Sequence, residues 1–221
     1  MNFTVVHCDN HLLVVHKEPG VVVQGASRNE VSLLLAAKKW LKEKYDKKGN
    51  VFLAVVHRLD KPVSGLVLFA RTSKSASRMS DQFRRGVVQK GYVAVVEGVL
   101  PKQTAELSHY LTTRDGRPVI TNEHDPTAKI ARLRYSLSKQ AARMTEVSIE
   151  LLTGRKHQIR LQLSSLGNPI VGDKRYGAKF ELAAEPKRIA LLAHKLRCIH
   201  PTTKEELNFL TQRPSWWPLT P

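Results

Sequence analysis

One globular body that mixes strands with helices is what this sequence predicts, and three observations carry that expectation. Apolar residues make up 42% of the chain, the ordinary share for a protein that buries a core. Short apolar runs bounded by Gly, Pro, Asn and Asp alternate with segments whose apolar residues recur every three or four positions. These are the marks of strands and of helices respectively. No internal repeat or low-complexity linker divides the 221 residues, so 1–221 is read as a single domain.

The elements follow in order. Val5-Val6-His7 and Leu12-Leu13-Val14-Val15 predict two short strands, split by the turn residues Asp9-Asn10 and closed by His16-Lys17-Glu18-Pro19-Gly20. Ser27-Arg28-Asn29-Glu30 has the form of a capping box before Val31. It predicts a helix to about Lys44 with Leu34, Ala37 and Leu41 on one face. The cationic run from Lys42 to Lys48 suits the negative end of that helix. His57-Arg58-Leu59-Asp60-Lys61-Pro62-Val63-Ser64-Gly65 then leads into Leu66-Val67-Leu68-Phe69-Ala70, which reads as a buried strand. Lys61-Pro62 resists a helix, so Asp60 belongs to a loop entering that strand. By local chemistry alone such an Asp is more often an Asx-turn residue than a carboxylate presented to a cleft.

Ser73 can cap a second helix reaching Arg85, with Ala76, Met79 and Phe83 inward and Gly86 as its left-handed stop. Lys90 to Gly98 is an apolar strand with Tyr92 near its start, by itself the pattern of a tyrosine at the rim of a core. Residues 101–128 are the least regular, with Pro101, Asp115-Gly116-Arg117-Pro118 and Asp125-Pro126, and predict hairpins and a mobile loop. Arg114, Arg117 and Lys129 fit a nucleic-acid-facing arm there as well as they fit a solvated loop. Arg132 to Leu137 and Thr145 to Leu151 alternate like paired strands. A strand then turns at Thr153-Gly154 into a helix whose buried stripe is Ile159, Leu163 and Leu166, ended by Gly167.

Charge narrows the function. Lys and Arg number 36 against 19 Asp and Glu, giving +17. The excess is spread evenly, with 17 basic and 9 acidic residues in 1–110 and 19 and 10 in 111–221. The folded body itself is cationic, which suits a polyanion. No apolar run approaches the ~20 residues a membrane span needs, and no basic amphipathic helix stands out. The start lacks the form of a signal peptide. Cys8 and Cys198 alone give neither a disulfide framework nor a Cys-x-x-Cys metal pair. A reducing cytoplasm is the expected setting, with a monomer as the default. No phosphate loop or dinucleotide fingerprint occurs, and the nine histidines form no zinc pattern.

Six blocks resemble the RluA-type pseudouridine synthases, in the order that family has them. The strand before His16-Lys17-Glu18-Pro19-Gly20 resembles its opening block, with Glu18 where Pro is usual. His57-Arg58-Leu59-Asp60-Lys61-Pro62-Val63-Ser64-Gly65 resembles its catalytic motif, with Val63 where Thr is usual. Lys90-Gly91-Tyr92-Val93-Ala94-Val95-Val96 resembles its Lys-x-Tyr block. Gly154-Arg155-Lys156-His157-Gln158-Ile159-Arg160 resembles its Gly-Arg-x-His-Gln-Ile-Arg block, and Asn168 to Gly177 continues that signature. Ala193-His194-Lys195-Leu196 and His200-Pro201-Thr202-Thr203-Lys204-Glu205 resemble its closing strand and turn. The resemblance spans Leu12 to Glu205. It leaves no room for the S4-type domain that many relatives carry in front.

The resemblance implies an α+β fold: a mixed, largely antiparallel sheet crossed by an active-site cleft and flanked by helices and loops. It implies an enzyme that isomerises uridine in structured RNA, transfer or ribosomal, without metal or cofactor. It assigns catalysis to Asp60, with Tyr92 against the target nucleotide and Arg160 paired to Asp60. RNA contacts are expected from Arg58, His57, Arg155, His157, Gln158 and Leu196, with Arg58 filling the gap left by a flipped base. An ionised carboxylate in a closed cleft needs a cation, and a guanidinium fork supplies one. Charge alone fits a non-catalytic RNA-binding protein of the same fold equally well. The joint presence of Asp60, Tyr92 and Arg160 separates the two, because a degenerate member is expected to have lost at least one. A hydrolase of free nucleosides leaves the +17 without a role.

Overall fold

The computed structural model describes residues 3–25, 30–182 and 187–219. The strands among them are, in chain order, β1 (Phe3–Cys8), β2 (Leu12–Lys17), β3 (Ala54–Val55), β4 (Ser64–Ala70), β5 (Gln89–Glu97) and β6 (Thr104–Arg114). They continue with β7 (Arg117–Thr121), β8 (Lys129–Ala141), β9 (Met144–Leu151), β10 (Leu191–Ile199) and β11 (Glu206–Leu210). The helices are α1 (Leu33–Lys44), α2 (Ser73–Arg84) and α3 (Gln158–Ser165), with one 3-10 turn at Lys174–Tyr176. The α+β class expected from the sequence is the class observed. The chain divides into two compact units, one of residues 1–88 and 195–211, the other of 89–194 and 212–221.

In the first unit β2 lies antiparallel between β1 and β4, and the short β3 also pairs with β4. Every residue of β4 is buried, which explains its uninterrupted apolar run. Leu12 and Val14 pack with Leu66, Leu68, Met79, Val88, Leu196, Cys198 and Phe209 in one core, and Phe83 covers its edge. Helix α2 begins one residue earlier than expected in its cap, because Thr72, not Ser73, accepts the Ser75 amide at 3.1 Å. Gly86 takes φ +72°, the left-handed stop its sequence predicted.

Helix α1 starts later than its sequence suggested. Ser27 to Asn29 of the expected capping box lie outside the described residues. The cap is Ser32, whose side chain accepts the Leu35 amide at 3.4 Å. The Leu33 and Leu34 amides are taken by the Val22 and Val23 carbonyls at 2.8 and 3.1 Å, so an earlier irregular segment does part of the capping. Glu30 pairs instead with Lys61.

In the second unit the strands run β5-β9-β8-β6-β7, each antiparallel to its neighbour. Residues 101–128 are more regular than expected. They hold the eleven-residue β6 and the hairpin to β7, turned by Asp115 and Gly116 at φ +49° and +72°. Two successive positive φ values are what a two-residue hairpin turn needs. The strand alternation buries Ala131, Leu133 and Tyr135 on β8 and Val147 and Ile149 on β9. Helix α3 belongs to the same unit through Gln162, whose Nε2 donates to the Leu107 and Ala131 carbonyls at 3.3 and 3.1 Å.

Candidate active site

Asp60 stands where the chain turns into β4. The Val63 amide donates to the Asp60 carbonyl at 3.1 Å, closing a turn over Lys61-Pro62. The Asp60 side chain is half-buried and Arg58 is exposed. His57 Nε2 accepts the Leu68 amide at 2.9 Å, and its ring stacks on Phe83 at 4.8 Å. An accepting Nε2 places the neutral ring's proton on Nδ1. His57 therefore ties the loop to β4 as well as standing in the motif. Val63 is 2% exposed; at this position an apolar methyl pair meets the core.

Beneath this turn lies a residue the sequence reading passed over. Lys17, the last residue of β2, is fully buried. Its Nζ donates to the Glu18 and Lys61 carbonyls at 3.0 and 3.2 Å. The Lys61 carbonyl also accepts the Gly20 amide at 2.8 Å. Burial pushes the Lys17 ammonium down to about 7, against the opposing pull of the Asp60 and Glu18 charges. One buried cation thus holds the backbone next to Asp60 and acts on its carboxylate. Its sequence signals are its place at the end of a largely apolar strand and within the His16-Lys17-Glu18-Pro19-Gly20 block.

The second unit gathers the other expected residues on β5 and on the turn into α3. Tyr92 sits on β5 opposite Ile149, 9% exposed. His157 takes φ +54°, and its Nδ1 lies 2.8 Å from the Tyr176 hydroxyl. Gln158 is buried and fully engaged: its Oε1 accepts from Thr153 Oγ1 at 2.7 Å and the Arg155 amide at 3.0 Å. Its Nε2 donates to the Arg132 carbonyl at 3.0 Å. Gln158 therefore sets the bend that presents Arg155 and His157. Arg160 is 5% exposed. Its Nε and Nη2 donate to the two oxygens of Asp173 at 2.7 and 2.8 Å, and its guanidinium lies 4.9 Å from the Tyr176 ring centre. Such a two-point carboxylate clamp fixes the plane of the guanidinium. Asp173 and Tyr176 lay inside the quoted signature but had been given no role.

Leu196, expected to contact RNA, is 2% exposed within the core of the first unit. Arg155 is exposed, with Nε donating to the Ile130 carbonyl at 3.0 Å. Among the described residues no group of three His, Cys, Asp or Glu side chains is placed to hold a metal. No helix among them is long and apolar enough to cross a membrane.

Comparison with known proteins bears on this arrangement. The profile of the family described as RNA pseudouridylate synthase matches residues 11–165. The dual-specificity RNA pseudouridine synthase RluA of Pasteurella multocida is 33% identical over 214 residues, covering 93% of this chain and 90% of that protein. The ribosomal large subunit pseudouridine synthase C of Buchnera aphidicola is 30% identical over 216 residues, covering 93% of this chain and 66% of that protein. Among solved structures, human RNA pseudouridylate synthase domain containing 4 shares the fold at a TM-score of 0.80 and 24% identity, covering 96% of this chain and 89% of that one. Human RNA pseudouridylate synthase domain containing 1 gives 0.74 and 25%, covering 96% and 84%.

Proposed function

Because this chain belongs to the RNA pseudouridylate synthase family and is an enzyme of that class, we propose that it converts uridine to pseudouridine in structured ribosomal or transfer RNA, with Asp60 as the catalytic carboxylate. The reaction breaks the bond from C1′ to N1, turns the base, and joins C1′ to C5, whose proton leaves to water while N1 takes one up. Asp60 assists the detachment, as a nucleophile at C1′ or as a base on the ribose. Tyr92 lies against the displaced base, Arg160 is the fixed cation of the catalytic set, and Arg58 fills the space of the flipped nucleotide. Flipping costs a few kcal/mol, which that insertion offsets in part. His57, Arg155 and His157 complete the RNA-binding set, with Gln158 shaping the bend that carries two of them; Leu196, buried in the core, supports the fold and does not touch RNA. The working unit is the whole of 1–221 acting as one catalytic domain, a monomer in a reducing cytoplasm.

The observation that carries this reading is the Asp60 turn, a half-buried carboxylate at the motif position above the buried Lys17. The test is Asp60→Asn, which keeps shape and deletes charge. Tritium release from C5-labelled total RNA in excess chelator is expected from the wild type and absent from the variant. RNA affinity should stay within about threefold, since phosphate contacts dominate it. A variant that kept more than a few per cent of the rate would remove Asp60 from the mechanism.

A further inference from the structure

Lys90 is the first residue of the motif that carries Tyr92, and its surroundings are unusual for a lysine. It is half-buried on β5, and its Nζ lies 3.5 Å from where a side chain on Gly154 would begin. The next residue is Arg155, whose guanidinium is steadied by the Ile130 carbonyl. No carboxylate pairs with Lys90 among the described residues. Burial, and then the positive charge of Arg155, push the Lys90 ammonium below the usual lysine range. Two neighbouring cations, one of them packed half-buried against glycine backbone, repel each other unless an anion joins them.

Strand geometry says where that anion lies. Residues two apart on a strand face the same side, so Lys90 and Tyr92 share a face of β5, about 7 Å apart along it. That is the reach from a nucleobase across its ribose to a phosphate. The missing side chain at Gly154 lets Lys90 Nζ pack against the backbone there, beside the exposed Arg155, where a phosphate oxygen can reach both.

We infer that Lys90, packed beside Gly154, and the adjoining Arg155 form a subsite for a single phosphodiester of the RNA strand whose base lies at Tyr92. The inference rests on the RNA-modifying reading above. Lys90 and Arg155 differ in what they bring. The ammonium is a point charge, whereas the guanidinium, already held by Ile130, adds a planar fork of fixed direction. Together they fix the register of the strand, a task that needs no base contact.

The probe is oligouridylate of eight residues, titrated against the wild type and variants at several sodium chloride concentrations. One single-strand phosphate contact contributes about 0.7 to the slope of log affinity against log salt. Lys90→Gln and Arg155→Gln should each lower the slope by about 0.7, and the double variant should lower it little further, because both cations serve one phosphate. Lys90→Arg should restore the slope. A merely structural Lys90 leaves the slope unmoved, and a double variant that loses about 1.4 means two separate phosphates; either result overturns the subsite. Arg155 is exposed, so Arg155→Gln still reports if Lys90→Gln fails to fold. Tritium release from total RNA by the same wild-type preparation is read alongside. Release with unmoved slopes sinks the subsite alone, while shifted slopes without release sink the enzymatic reading alone.

Discussion

Lys17→Met is the most informative single change, because it converts a geometric observation into a pH-dependent energy. Lys17 is fully buried and its ammonium is held at about 7 in the folded protein, against 10.5 ordinarily. Between those values the unfolded chain binds the extra proton and the folded chain does not. Stability therefore rises with pH across this window and falls as pH drops toward 7; below 7 both states are protonated and the full penalty of the buried charge is present. For a single group with these two pKa values, the gain from pH 7 to pH 9 is about 2 kcal/mol. Methionine fills nearly the same volume and cannot titrate. It also leaves the Glu18 and Lys61 carbonyls without this donor, a loss of about 1 kcal/mol each that does not depend on pH.

The assay is urea unfolding of wild type and variant at pH 7, 8 and 9, with equal m-values as the check that the unfolded states match. All other titrations are common to both proteins and cancel in the difference. The difference in unfolding free energy should move by about 2 kcal/mol in favour of the wild type between pH 7 and pH 9. Parallel curves across that range would show that Lys17 does not change its charge there, and the account of a poised cation under the Asp60 turn would fall.

The Arg160–Asp173 pair and the C-terminal segment give the remaining predictions. Asp173→Asn leaves a buried guanidinium without its carboxylate clamp and should cost about 3–5 kcal/mol in urea unfolding, since breaking one half of a buried pair strands the other charge. Arg160→Met should lower the single-turnover rate with RNA affinity at two salt concentrations nearly unchanged; a lost salt contact with an unchanged rate would place Arg160 on a phosphate instead. Trp217→Phe removes the indole donor to Glu146, which also takes both arms of Arg213. It should cost about 1–3 kcal/mol and speed proteolytic loss of the segment after Gln212, measured by mass spectrometry.

How much of this was legible in the sequence depends on the range of the interaction involved. Strands such as β4, with every residue buried, announce themselves through composition alone, and so does the hairpin turn at Asp115-Gly116, where two positive φ values select the residues. The start of α1 differs from expectation because Ser27-Arg28-Asn29-Glu30 has the local form of a capping box, while the amides of Leu33 and Leu34 are satisfied by carbonyls eleven residues away. Local pattern carries no information about a distant acceptor. The same limit hid β6, because residues 104–114 have a mixed burial pattern whose strand character comes from pairing with β7 and β8.

The functional residues divide along the same line. Asp60, Tyr92 and Arg160 were named by motif, and what the motif could not supply was their support. Asp173 clamps Arg160 from thirteen residues on, and Lys17 reaches the Lys61 carbonyl from forty-four residues before it. A charged side chain is tolerated in such a place only if its hydrogen bonds are met. Each of these two is met: the guanidinium by the two oxygens of Asp173, and the ammonium by the Glu18 and Lys61 carbonyls. Residue type and burial together make Arg160 a constant cation and Lys17 a titrating one: the guanidinium keeps its proton whatever faces it, while burial, only partly opposed by the Asp60 and Glu18 charges, brings the ammonium down to about 7. A lysine at position 160 would lose the two-point clamp on Asp173, and an arginine at position 17 would carry a charge that never titrates into a space sized for an ammonium.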